Sequence, residues 1–219
     1  MSRRDLPALD GIHAALFDLD GTLVDSEPVH RAAWKAFFDS RGWQVSEETY
    51  VSHFVGRRGA DAFRTVEGPW SEEDPDDLLS EVMTHLESVS TDPGAIPGAA
   101  ELVRSVHGSG VPIAVVTSAM RSWVDEALDF VGVADLVSVV MTAEDVTAGK
   151  PDPEGYLAAC DRLGVSPADV AAFEDSVSGV TAASSAGIAR VVGVLTTSNA
   201  EALRTAGAHH VVDDLLDLT

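Results

Sequence analysis

Apolar positions follow two rhythms along this chain, and the change between them predicts the architecture. From Gly98 onward, short apolar runs alternate with amphipathic stretches. Strands are predicted at 112–117, 137–142, 170–173, 190–194 and 210–212, with helices at 99–107, 121–131, 153–163, 176–186 and 199–206. The run Ile113-Ala114-Val115-Val116 is apolar on both faces, as buried parallel strands are. Near the start, Ala14-Ala15-Leu16-Phe17 is another such run. Between Val24 and Ile96 the period is helical and no strand is predicted. Helices are read at 27–41, 45–54, 59–66 and 71–90. The first has Ser26 as its cap, Pro28 in its first turn and Gly42 to stop it; the last opens with the capping pattern Ser71-x-x-Asp74. On the first helix His30, Trp34 and Phe37 form one stripe, with Val29, Ala33 and Ala36 beside it. Strands alternating with helices mean an α/β fold with a doubly wound parallel sheet. The expected division is a core domain of residues 1–25 and 97–219 and an inserted α-helical domain of residues 26–96.

Composition narrows the function. A chain of 219 residues with 45% apolar content can bury one good core plus a small insert. No apolar window reaches 18 residues, so no membrane span is expected. After Met1-Ser2-Arg3-Arg4, the segment Asp5 to Asp10 is not the apolar stretch of a secretory signal, which leaves the cytoplasm as the expected location. The balance of 36 acidic against 14 basic residues, net −22, repels nucleic acid and anionic membranes, and neither is expected as a partner. The single cysteine, Cys160, lies in a helical pattern and reads as a small buried residue.

The chemistry lies just past the strands. Asp18 and Asp20 follow the first, Thr117-Ser118 the second, Lys150-Pro151 lies in the loop after the third, and Glu174-Asp175 follows the fourth. Taken singly, each has an ordinary reading as a turn or a helix cap. Their joint occurrence at the carboxyl ends of separate parallel strands, where open α/β sheets bind ligands, needs a further reason. Carboxylates for a hard cation, a hydroxyl and an ammonium suit a phosphate ester. Asp18 and Asp175, with Glu174, can hold Mg²⁺; Asp18 can attack phosphorus, and Asp20 can serve as acid and base. Lys150 and Thr117 can hold phosphate oxygens.

These segments resemble the haloacid dehalogenase superfamily in all four signature motifs: Asp18-Leu19-Asp20-Gly21-Thr22, Val116-Thr117-Ser118, Gly149-Lys150-Pro151-Asp152-Pro153 and Phe173-Glu174-Asp175-Ser176. The resemblance covers essentially the whole chain, the insert being similar to that group's small α-helical cap. It implies phosphoryl transfer with Asp18 as nucleophile and Asp20 as acid and base. Mg²⁺ would be held by Asp18, the Asp20 carbonyl and Asp175, with Glu174 beside it, and no organic cofactor is implied. The second aspartate points to phosphate chemistry rather than dehalogenation. Asp25-Ser26-Glu27-Pro28-Val29-His30, Trp34 and Thr142-Ala143-Glu144-Asp145-Val146 resemble small sugar- and polyol-phosphate phosphatases and also β-phosphoglucomutases. The mutases hold a second phosphate with a lysine late in the cap and an arginine three residues after the glycine matching Gly56. Here that arginine position is Gly59 and the insert's only lysine is Lys35. Hydrolysis of a small phosphorylated metabolite is therefore the expectation, with a mutase and a non-catalytic phospho-sugar sensor as alternatives. Ser118, His30, Gly56, Arg57 and Arg58 are candidate substrate contacts, and a monomer is expected by resemblance.

Overall fold

The structure is a computed structural model that describes residues 11–89 and 93–219. The secretory-signal reading of residues 1–10 and the end of the fourth predicted helix at Ser90 lie outside the described residues. In chain order the elements begin with β1 (Ala14–Phe17), β2 (Val24–Asp25), α1 (Glu27–Arg41), α2 (Glu47–His53), α3 (Gly59–Thr65), α4 (Pro75–Leu86) and β3 (Gly94–Ala95). They continue with α5 (Ala99–Gly108), β4 (Ile113–Val116), α6 (Arg121–Val131), β5 (Val139–Met141) and α7 (Glu154–Leu163). The chain closes with β6 (Val170–Glu174), α8 (Val177–Ser185), β7 (Arg190–Val194), α9 (Ala200–Ala206) and β8 (His210–Val212).

The α/β expectation holds. Six strands form one sheet in the order β5-β4-β1-β6-β7-β8, and every pairing in it is parallel. From β1 the chain winds outward through β4 to β5 and then returns to β6 on the other side of β1. That reversal makes the carboxyl end of β1 the switch point where such sheets open a crevice. The period of two in a strand divides the core. Ala15, Phe17, Val115 and Phe173 pack on one face, and Ala14, Leu16, Ala114 and Ala172 on the other. Phe17 stacks on Phe173 with ring centroids 4.6 Å apart. Cys160 is buried, as expected.

The helices between β2 and β3 pack around rings of their own: Trp34, Phe37, Phe38, Tyr50, Phe54, Phe63 and Trp70, with Leu78 and Val82. On α1 the inward stripe is Ala33, Trp34, Phe37 and Phe38, while Ala36 faces outward. Among the described residues no helix is long and apolar enough to cross a membrane.

Three local expectations are corrected. A strand pair does occur between Val24 and Ile96: β2 and β3 form an antiparallel ribbon, Val24 opposite Ala95 and Asp25 opposite Gly94. Two-residue strands carry no periodicity, and their pairing is set by the distant partner. The fourth helix begins at Pro75 rather than Ser71. The Asp74 side chain accepts from the N–H groups of Asp76 and Asp77, while Ser71 closes a turn with Gly68. Ser26 makes no side-chain cap on α1, because its hydroxyl is committed to Asp20.

Candidate active site

The ladder between β1 and β6 runs one residue past Phe17, the Asp18 N–H donating to Phe173 O at 3.0 Å. Asp18 is thereby fixed beside the end of β6, which delivers Glu174 and Asp175. The chain then leaves the sheet in a tight loop in which Thr22, Leu23 and Val24 all donate to Leu19 O. Gly21 makes this turn with φ +83°, and a Cβ there would stand 2.1 Å from Asp175 Oδ2. Only glycine meets both demands.

Lys150 arrives from the loop after β5, and its three N–H bonds are all used. Nζ donates to Asp18 Oδ1 at 2.5 Å, to Glu174 Oε1 at 2.5 Å and to Val116 O at 2.9 Å. Glu174, fully buried at 0% exposure, also accepts from Tyr156 OH at 2.7 Å and Ser176 Oγ at 3.2 Å. Burial works against the Lys150 ammonium, but Asp18 and Glu174 outweigh it and hold Lys150 above the usual lysine value. Burial pushes the Asp18 carboxyl well above its usual range, Lys150 pulling it down and Glu174 and Asp175 pushing it further up. Asp175 is raised to about 8, by burial first and by Glu174 second.

Carboxylate oxygens of Asp18, Glu174 and Asp175 lie within 4.8 Å of one another. Three hard oxygen donors, two of them carrying the electrostatic cost of buried like charge, fit a small divalent cation such as Mg²⁺. The Asp20 carboxylate stands apart from this group. Its Oδ1 accepts from Ser26 Oγ at 2.6 Å and Trp123 Nε1 at 2.9 Å, with His30 Nε2 at 3.7 Å. Thr117, 6% exposed, lies at the end of β4, where its Oγ1 accepts from the Ala119 N–H at 3.0 Å.

The five predicted substrate contacts divide. His30 reaches the Asp20 side of the site. Ser118 Oγ donates to Gly56 O at 3.2 Å, so these two join core to insert rather than offering free groups. Arg58 is likewise committed: its guanidinium donates to Asp61 and to the carbonyls of Ala143, Val146 and Thr147. Arg57 is the contrast. Its Nε is buried with no hydrogen-bond partner, and burial lowers its guanidinium from the usual arginine value. The cavity beside Lys150, lined by Arg58, Thr117, Ser118 and Tyr156 among others, holds about 20 Å³, room for one water.

Trp123, Tyr156 and Ser178 are site neighbours that the sequence did not single out. A buried tyrosine hydroxyl or an indole N–H aimed at a carboxylate leaves no periodic signal. Ser176, named in the fourth motif, caps α8 by accepting from the Gly179 N–H.

Comparison with known proteins agrees with this geometry. The family profile of haloacid dehalogenase-like hydrolases matches residues 15–194. A Streptomyces hygroscopicus subsp. limoneus protein named validoxylamine A 7'-phosphate phosphatase is 40% identical over 194 residues, covering 88% of this chain and 90% of its own. A Mycobacterium bovis protein named beta-phosphoglucomutase is 32% identical, covering 94% of this chain and 91% of its own. The crystal structure of a hydrolase from Pseudomonas syringae superposes with a TM-score of 0.82 at 27% identity, covering 94% of this chain and 95% of that one. The fold, the four strand-end motifs and these matches agree: the chain belongs to the haloacid dehalogenase-like hydrolase family.

Proposed function

We propose that the protein is a Mg²⁺-dependent phosphatase of small phosphorylated sugars or polyols. The observation that carries this reading is the buried group of Asp18, Lys150, Glu174 and Asp175 at the switch point of the sheet, with Asp20 two residues beyond. Relatives named as phosphatases of phosphorylated carbohydrates and hexitols support the substrate class.

In the proposed reaction an Asp18 carboxylate oxygen bonds to phosphorus as the bond from phosphorus to the ester oxygen breaks, giving an aspartyl phosphate. Asp20, oriented by Ser26 and Trp123, gives its proton to the leaving oxygen. Water then attacks phosphorus, Asp20 takes its proton, and phosphate leaves with Asp18 restored. Asp18 and Asp175, with Glu174 beside them, would hold Mg²⁺, whose charge would offset the repulsion between carboxylate and phosphate. Lys150 and Thr117 stabilise the transferring group's oxygens. The helices of residues 26–96 act as a cap that shuts the site from bulk water. Arg57, a half-buried cation whose Nε has no hydrogen-bond partner among the described residues, meets the anionic substrate from the cap side.

Two observations favour hydrolysis over a mutase. The position that would carry the mutase arginine is Gly59, and Lys35 is exposed and spent on Asp39 at 2.5 Å. The test is a screen of phosphorylated metabolites for phosphate release, with and without Mg²⁺, against an Asp18→Asn control. Asp18→Asn should lose at least about 10⁴-fold in rate. Wild-type release no faster than this control across the screen would overturn the reading.

A further inference from the structure

The insert touches the strand ends through side chains that donate to main-chain carbonyls. Ser118 Oγ reaches Gly56 O and Ser178 Oγ reaches Val55 O, each at 3.2 Å. The third contact runs the other way. Arg58, from the start of α3, places Nη1 3.3 Å from Ala143 O and 3.2 Å from Val146 O, and Nη2 2.7 Å from Thr147 O. Its Nε donates to Asp61 at 2.6 Å, which fixes the plane of the fork. The segment it grips leads directly into Gly149-Lys150.

That segment is held from both sides. Beneath it, the Glu154 carboxylate accepts from the N–H groups of Thr147 at 2.9 Å and Ala148 at 2.8 Å. Above it, Arg58 takes the carbonyls. The packing is close: a Cβ on Gly149 would stand 2.6 Å from Arg58 Nε and 3.0 Å from Asp61 Oδ2. When the insert lifts, three carbonyls lose a charged donor, and the 143–149 loop keeps the Glu154 bonds at its end and the bonds of Glu144 and Asp145 at its start. On the phosphatase reading, a cap that opens to admit substrate releases these contacts and re-forms them on closing.

We infer that Arg58 is a positioning residue that latches the insert to the 143–149 loop, so that seating the insert and ordering the loop before Lys150 are one event. The inference rests on the phosphatase reading for its place in turnover, although the latch itself is a property of the fold. A planar fork that bonds several carbonyls at once is what lysine cannot copy.

Hydrogen–deuterium exchange on the full chain tests the latch without reference to activity. In Arg58→Ala, exchange within 54–58 and 143–149 should rise about tenfold while the sheet stays protected. Arg58→Lys should behave like Arg58→Ala. Millimolar guanidinium should restore protection to Arg58→Ala but not to Gly149→Ala, in which an added methyl unseats an intact Arg58. If Arg58→Ala fails to fold, Gly149→Ala still reads the same opening. KM for a hydrolysed sugar phosphate should rise about tenfold in both variants. Unchanged exchange in both segments would overturn the latch. A raised KM with exchange untouched would also overturn it, by making Arg58 a substrate contact. If the wild type hydrolyses no phosphate ester, the phosphatase reading fails while exchange still decides the latch.

Discussion

At the strand ends the molecule buries ionisable side chains together, whereas the helical insert buries rings and, among the described residues, fully buries no charged side chain. Lys150, 7% exposed, lies between Asp18 and Glu174, and each must be paired because an unpaired charge there is costly. In the insert Trp34 meets Phe37, Phe38, Phe54 and Phe63 with centroids 4.9–6.4 Å apart, while Arg41 bonds Glu73 and Glu81 at the surface. Such surface pairs contribute about 0–1 kcal/mol each. A buried pair adds little net stability against apolar side chains of its size, but it fixes where each charge stands. The contrast separates two kinds of packing: the strand ends hold charges in fixed register, and the insert holds a ring cluster of its own.

The largest test removes a ring from that cluster. Trp34→Ala should cost the insert about 3–5 kcal/mol, the range for deleting a large buried aromatic side chain. Denaturant unfolding followed by exchange should show α1 and α4 opening before the sheet, because the ring cluster contains no residue from the sheet. A single transition in which sheet and insert lose the same free energy would show that the two share one stability after all.

The opposite test loads the strand ends and leaves the insert alone. Asp175 is held at about 8, above its ordinary value of about 3.9. Between those values the folded protein keeps a proton that the unfolded chain has released, so this group's contribution to metal-free stability falls as pH rises from about 4 to about 8. Cation binding needs the released form. Mg²⁺ should therefore stabilise the fold more at pH 9 than at pH 6, by up to about 2.7 kcal/mol at a hundredfold excess over Kd, read as a larger rise in Tm. Equal shifts at both pH values, or an undiminished shift in Asp175→Asn, would sever the carboxylate cluster from the cation.

The same division explains what was legible in the sequence. Asp18, Lys150 and Glu174-Asp175 could be read because each stands next to a strand or loop that its apolar run had already located. Their meeting then follows from the winding of a parallel sheet. The β2–β3 ribbon could not, since Val24 finds Ala95 across the whole insert. Ser26 looked like a helix cap because its local pattern fits one; its hydroxyl goes to Asp20 instead. Arg58 reads as a candidate substrate contact, yet besides Asp61 its partners are main-chain carbonyls 85 to 89 residues away, and a carbonyl has no residue type to announce it.

The smallest expected effect lies where the two regions meet, at Asp20. Its Oδ1 takes one hydrogen bond from Ser26, beside the entry to the insert, and one from Trp123 on α6 of the core. Trp123→Phe keeps a ring and deletes only the core's donor. Losing one hydrogen bond of about 0.5–1.5 kcal/mol should lower kcat about 2- to 12-fold. KM and Tm should change little, since the Trp123 side chain is only partly buried and Asp20 keeps its bond to Ser26. Ser26→Ala removes the other donor at the cap's hinge, and the double variant should lose more than the sum of the two, because Asp20 is then free to turn. If Trp123→Phe leaves kcat untouched while Ser26→Ala lowers it tenfold, the orientation of the proposed acid belongs to the hinge alone. Closing the cap would then set Asp20 directly, without help from the core.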